Sequence, residues 1–218
     1  MRLVTGLALL ALATGCAPVP SDSTLNGADR GVLWRSEQGD LRSGVAGPSI
    51  GLPVASMQDV SEIRDAFSLS PASPWGFEHH GIDFTPNPQT ETLMPVVAAE
   101  AGKVLFVEAT LDGGRWRVNV GIHHPPGFRT EYVFEPFTGS DADRDAQLAQ
   151  ISIGVGEIVG RGRLIGRLRR VNNDSHMHFG IRKDNVDVCP AQYFIPAARS
   201  QILEKLRLMY PGAELCYP

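Results

Sequence analysis

Long apolar runs are nearly absent from these 218 residues. The single run, residues 3–12, is too short to cross a bilayer as a helix, which takes about 20 residues. A surplus of positive charge is also missing. The net charge is −4, so no basic surface dominates and nucleic acid is not an expected partner. Cysteine is scarce, at three residues, which rules out a multiply cross-linked disulfide scaffold. There is no internal repeat and no low-complexity tract. Only six histidines occur, and they fall into three pairs, at 79/80, 123/124 and 176/178. Such pairing is what a folded metal site needs, and chance placement on exposed loops is the alternative. What remains is an ordinary globular balance of 43% hydrophobic and 20% charged residues. Its 23 glycines and 16 prolines favour turns and short strands over long helices.

The amino terminus reads as an address. Met1-Arg2 precedes the apolar run, and Ala13-Thr14-Gly15-Cys16 follows it. A short basic start, an apolar stretch and small residues before a cleavage point describe a secretory signal. A cysteine directly after small residues resembles the bacterial lipoprotein cleavage box. That resemblance implies a signal peptide over residues 1–15, lipid on Cys16 and anchoring to a membrane. An ordinary signal with an incidental cysteine is the alternative. Several acyl chains hold firmly, since each buried methylene contributes about 0.8 kcal/mol. Ala17, rather than an aspartate, follows the cysteine. In lipoproteins of two-membrane bacteria this implies sorting to the outer membrane, so the expected location is the periplasmic face of that membrane.

Two cysteines remain, Cys189 and Cys216. Export places them in an oxidising compartment, where a disulfide is expected. Chain-entropy arithmetic gives such a bond about 3.5 kcal/mol. Two free buried thiols are the alternative.

Residues 16–50, rich in Ser, Gly, Pro, Asp and Arg, read as a lipidated tether. Residues 59–67 predict a short helix, because Val60, Ile63 and Phe67 fall at helical spacing. Strand-like runs dominate from residue 75 onward. Residues 95–99 and 102–107 flank an acidic turn, and Trp116, Val118, Val120 and Ile122 share one face. The Pro125-Pro126-Gly127 turn leads to a returning strand over 130–134. Residues 140–146 read as an acidic surface loop. Glycine-punctuated strands follow over 154–159 and 163–166, and a last core strand over 177–181. Residues 193–209 predict a helix with Ile202, Leu206 and Met209 on one stripe. The expected fold is mainly β, an antiparallel sheet with short helices and a C-terminal helix. The main domain is expected over 51–195, with 196–218 a helix and tail tied back by the disulfide.

The chemistry lies in two short motifs. In His79-His80-Gly81-Ile82-Asp83, an extended backbone places His79 and Asp83 on one face, and Gly81 between them has no side chain to obstruct a metal. In His176-Met177-His178-Phe179, period two places both histidines on one face and Met177 and Phe179 on a core face. Two imidazoles and a carboxylate are the ligand set of an open catalytic zinc site, with one position left for water. His80 has the wrong parity and is expected in solvent. Glu100, Glu108 and Asp112 read as solvated turn residues.

His79-x-Gly81-x-Asp83 followed far downstream by His176-x-His178-Phe179 resembles the lysostaphin and LytM family of zinc endopeptidases. The run from Met94-Pro95-Val96-Val97 to Gly102-Lys103-Val104 resembles its strand-turn-strand. Val120-x-Ile122-x-His124-x-x-Gly127-x-x-Thr130-x-Tyr132 resembles its central hairpin, and Val155-Gly156-Glu157 to Leu164-Ile165-Gly166 its glycine-rich strand pair. The likeness covers residues 75–182. It implies a LytM-like core holding Zn2+ through His79, Asp83 and His178, with His176 stabilising the transition state. It implies hydrolysis of peptide bonds in peptidoglycan stem or cross-link peptides.

The family usually carries Tyr-x-His-Leu at the end of the hairpin, where this chain reads Tyr132-Val133-Phe134-Glu135-Pro136. Phe134 cannot take a proton. Glu135 is the candidate replacement base, although strand parity turns it to the opposite face unless Pro136 bends the chain. Tyr132, His124 and Phe134 are expected to line the substrate groove, with a surface position the alternative for His124. The competing reading is a non-enzymatic or weakly active LytM-like domain that binds the wall or activates a separate wall hydrolase as its protein partner.

Overall fold

The computed structural model describes residues 47–89 and 93–217. The expected signal, the Cys16 box and the tether up to residue 46 lie outside the described residues. Twelve strands and two helices follow in order among the described residues. They are β1 (Val60–Ile63), β2 (Phe67–Ser68), β3 (Ile82–Pro86), β4 (Leu93–Val97), β5 (Gly102–Asp112), β6 (Arg115–His124), β7 (Phe128–Glu135), α1 (Asp141–Leu148), β8 (Ile158–Val159), β9 (Leu164–Arg169), β10 (His176–Lys183), β11 (Val186–Val188), α2 (Pro196–Met209) and β12 (Cys216–Tyr217). The architecture is the expected mainly antiparallel β fold.

The main sheet runs β1-β3-β10-β7-β6-β5-β8, with β11 paired to the far end of β10. β4 and β9 form a separate antiparallel pair, and β2 and β12 a short parallel one. The β5–β6 hairpin closes through Gly113 and Gly114, at φ 54° and 75°. Both need the left-handed region that a two-residue hairpin turn demands.

Alternation fixes which residues share a face. Met177, Phe179 and Ile181 on β10 oppose Phe134, Tyr132 and Thr130 on β7, and Met177 and Phe179 also oppose Phe84 and Ile82 on β3. All eight are fully buried. They join Met94, Val96, Ile165 and Leu168 of the β4–β9 pair and Ile202 and Leu206 of α2 in one core. Each large side chain there contributes roughly 1.5–3 kcal/mol by leaving water. The other sheet face carries His176, His178, Gly180 and Arg182 opposite Glu135, Val133, Glu131 and Arg129.

Several expectations give way. Residues 59–67 are a one-turn 3-10 segment, Met57–Asp59, followed by β1 and β2 rather than a helix. A register shift between Val60 and Glu62 inserts one extra residue. It makes Val60 and Ile63, three apart, both face inward, and so mimics helical spacing. The expected acidic loop is α1, whose cap Ser140 accepts a hydrogen bond from Asp143 N, with Asp141 and Asp143 in the first turn favouring the helix dipole. The C-terminal helix starts at Pro196, its buried stripe is Ala198, Ile202 and Leu206, and Met209 is exposed. Glu100 is buried and paired with Arg161, not solvated. Cys189 and Cys216 form a disulfide, with Cα atoms 6.0 Å apart, that ties the tail after α2 to the segment after β11.

Candidate metal centre

The β3–β10 pairing brings His178, 95 positions away from Asp83, against Asp83 and its near neighbour His79. His178 and Asp83 are direct cross-strand partners. His79 lies on the approach to β3, where its N–H bonds Ser68 O at 2.8 Å. Its Nδ1–H donates to Ala66 O at 3.1 Å, since a carbonyl only accepts. That bond fixes the tautomer and leaves the Nε2 lone pair facing the site. His79 Nε2 lies 3.2 Å from Asp83 Oδ1 and 3.0 Å from His178 Nδ1. His178 Nδ1 lies 2.9 Å from the same carboxylate oxygen.

This triangle fits zinc. Tetrahedral bonds of about 2.0–2.1 Å separate ligand atoms by roughly 3.3 Å, so the three need to spread by only a few tenths of an ångström. Gly81 is required here, because a Cβ on it would overlap the His178 ring. Burial alone would raise the Asp83 carboxyl, but the His176, His178 and His79 imidazoles outweigh it and hold the group well below the usual range. Burial likewise pulls the His79 imidazole down, and its hydrogen bond and charge contact with Asp83 reverse that and leave it raised. The site is therefore built around an ionised carboxylate, as a cation requires.

His176 faces the same groove. Its Nδ1–H donates to Asp174 O at 2.7 Å, so Nε2 points outward. That nitrogen lies 3.5 Å from Asp83 Oδ2 and 3.7 Å from Glu135 Oε2. Glu135 is the direct β7 partner of His176 and is 8% exposed. Arg117 Nε lies 3.2 Å from its Oε2, and Arg117 Nη1 lies 2.8 Å from Asp112. The groove over these groups holds about 730 Å3.

The expected groove residues Tyr132, His124 and Phe134 are not in it. All three are fully buried on the opposite side of the sheet. Phe134 pairs with Met177 and Tyr132 with Phe179, both on the core face. The Tyr132 hydroxyl accepts from Ala99 N at 2.8 Å, and burial pushes its pKa up to about 12. His124 Nδ1–H donates to Ala101 O at 2.7 Å, and its Nε2 lies 2.8 Å from Thr130 Oγ1. The parity argument against Glu135 also fails: β7 presents Glu131, Val133 and Glu135 to the groove and Tyr132 and Phe134 to the core. His80 is exposed, with Nδ1 3.3 Å from Asp187.

Two further residues at the groove carry no sequence motif, Arg117 and Asp65. The parity of β6, with Val118 and Val120 inward, points Arg117 to the groove. Nothing in the sequence around Asp65 marks it.

No family model matches the chain, and no curated protein matches it. Among solved structures, it is similar to Csd3 of Helicobacter pylori, at TM-score 0.48 and 23% identity over 74% of this chain and 41% of that one. It is similar to a zinc containing peptidase from Vibrio cholerae, at TM-score 0.47 and 20% identity over 72% of this chain and 44% of that one. It is also similar to lysostaphin, the antimicrobial peptidase from Staphylococcus simulans, at TM-score 0.45 and 19% identity over 75% of this chain and 58% of that one.

Proposed function

We propose that this protein is a zinc-dependent endopeptidase that hydrolyses peptide bonds of peptidoglycan stem or cross-link peptides. One observation carries the reading. Two imidazoles and an ionised carboxylate converge in an open groove, with a third imidazole and a second carboxylate beside them. His79, Asp83 and His178 would hold the ion, leaving a position free. Bound there, zinc would supply Lewis acidity, polarising an amide carbonyl and acidifying water.

The chain's own groups divide the remaining work. Glu135 Oε2 holds or releases a proton beside the reacting amide, and Arg117 fixes its orientation. A positioned base of this kind typically contributes about 10²- to 10⁴-fold. His176 faces the groove through Nε2, and as the imidazolium it would donate Nε2–H to developing oxyanion charge, a role often worth roughly 3 kcal/mol. The choice of peptidoglycan rests on the two sequence motifs and the envelope address read at Cys16, which would place the domain at the periplasmic face of the outer membrane.

A domain that only binds the wall or activates another hydrolase needs no proton-transfer group beside the ligands. The placement of Glu135 against His176 favours turnover. Purified peptidoglycan incubated with the protein should release soluble peptide fragments. Chelator should stop the release and added zinc should restore it. No release from zinc-loaded protein would overturn the enzyme reading and leave the binding one.

A further inference from the structure

The two sides of the groove differ in how their carboxylates are paired. On the sheet, each carboxylate other than the candidate ligand Asp83 has an arginine. Glu131 lies 2.5 Å from Arg129, Glu135 3.2 Å from Arg117 and Asp187 2.7 Å from Arg182. On the side that carries His79, Asp65 and Glu78 line the groove, and neither carboxylate has a hydrogen-bond or ion-pair partner among the described residues. Asp65 is only 8% exposed. It is also held in place, because its carbonyl accepts from Asp83 N at 2.9 Å.

The obvious neighbour does not serve it. Arg64 turns away, with Nη2 donating to Asn173 O at 3.1 Å and Nη1 lying 3.4 Å from Asp174. The metal does not serve it either, since the converging donor atoms belong to His79, Asp83 and His178 alone. A largely buried carboxylate without a partner is costly to keep charged unless a ligand brings the missing charge.

We propose that Asp65, assisted by Glu78, is a subsite for a primary ammonium group of the peptide substrate. The enzyme therefore acts on peptides that carry a free amine close to the bond cut. The proposal rests on the peptidase reading for its substrate, but the subsite is a binding property and can be measured without turnover. The amine is either an N-terminal α-amine or a side-chain amine, and both would make the same charge-assisted bond.

Binding to the full-length protein, measured by calorimetry after chelation, decides it. Chelation is needed because zinc itself binds amines. Two peptide pairs are compared: tetraglycine against N-acetyl-tetraglycine, and N-acetyl-Gly-Gly-Lys-Gly against its Nε-acetyl-lysine form. The free amine of at least one pair should bind ten-fold or more tightly than its acetylated partner, and the pair that discriminates identifies the source. Asp65→Asn, which keeps the shape, should abolish the difference. Glu78→Gln, at an exposed position, should reduce it without affecting folding. Equal binding of both members in both pairs, or no binding, would overturn the subsite. So would discrimination that survives in Asp65→Asn. Peptidoglycan hydrolysis scored separately on the zinc-loaded wild type distinguishes this failure from failure of the peptidase reading.

Discussion

Replacing His124 with asparagine removes a titrating ring from the core and leaves the groove untouched. The ring is fully buried, and its nitrogens are occupied by Ala101 O and Thr130 Oγ1. Burial, the largest effect, lowers its pKa to about 4 from an ordinary 6.5. The folded chain thus refuses a proton that the unfolded chain accepts. Stability from the neutral ring is fully present above about pH 6.5. It falls as pH drops through that value, and the loss is complete only below about 4. At 1.36 kcal/mol per unit, the difference amounts to about 3 kcal/mol.

His79 works in the opposite sense, because its folded value is raised and its contribution is lost as pH rises. Asp83 enters only at lower pH, since its folded value is depressed. Denaturant unfolding of chelated wild type and His124→Asn at pH 7.5 and 4.5 isolates the His124 part as a difference of differences. Chelation keeps zinc release out of the same window. The variant should be weaker at pH 7.5 by about 1–3 kcal/mol, because Thr130 loses its partner. It should also lose about 2–3 kcal/mol less than wild type on acidification. Equal acid losses in the two proteins would refute the placement of His124 as a neutral core residue.

Three other outcomes are expected. His178→Ala and Asp83→Ala should each retain almost no zinc by elemental analysis, and full retention in both would sink the ligand assignment. Glu135→Gln should lower peptidoglycan turnover by roughly 10²- to 10⁴-fold with zinc content unchanged, while Phe134→His should give no gain and a lower melting temperature, because that position faces the core. Cys16→Ser should shift the protein from the membrane to the soluble fraction, and continued membrane association without lipid would point to another anchor.

The sequence exposed most of the sheet, because inward and outward residues alternate cleanly along β6, β7 and β10. Its errors have local causes. At β1 a single inserted residue changed the apparent period from two to three, and a strand took on the look of a helix. At α1 the polar, acidic composition hid a helix whose start was marked by Ser140 three residues before Asp143. Glu100 looked solvated because its partner, Arg161, is 61 positions away in the chain. The meeting of the His79/Asp83 and His176/His178 motifs was legible from spacing, since two short motifs on adjacent strands need only one pairing to meet, while the choice of His178 as ligand came from the family resemblance. Asp65 was not legible, because its isolation from cations is a property of the folded groove.

Glu135 shows why a motif aligned by position leaves the chemistry open. A one-residue change of register moves every side chain of a strand to the other face. Aligned by position, the segment puts Phe134 in the place of a histidine and suggests a groove that lacks a base. The pairing of His176 with Glu135 and of Met177 with Phe134 settles the face instead. The alternation was already visible in the segment, where Thr130, Tyr132 and Phe134 form one row and Arg129, Glu131, Val133 and Glu135 the other. The first row suits a core and the second a charged groove. Arg117 Nε then lies 3.2 Å from Glu135, which in turn lies 3.7 Å from His176. Under the proposed function, the proton-transfer role would fall to a carboxylate one position beyond the aromatic ring.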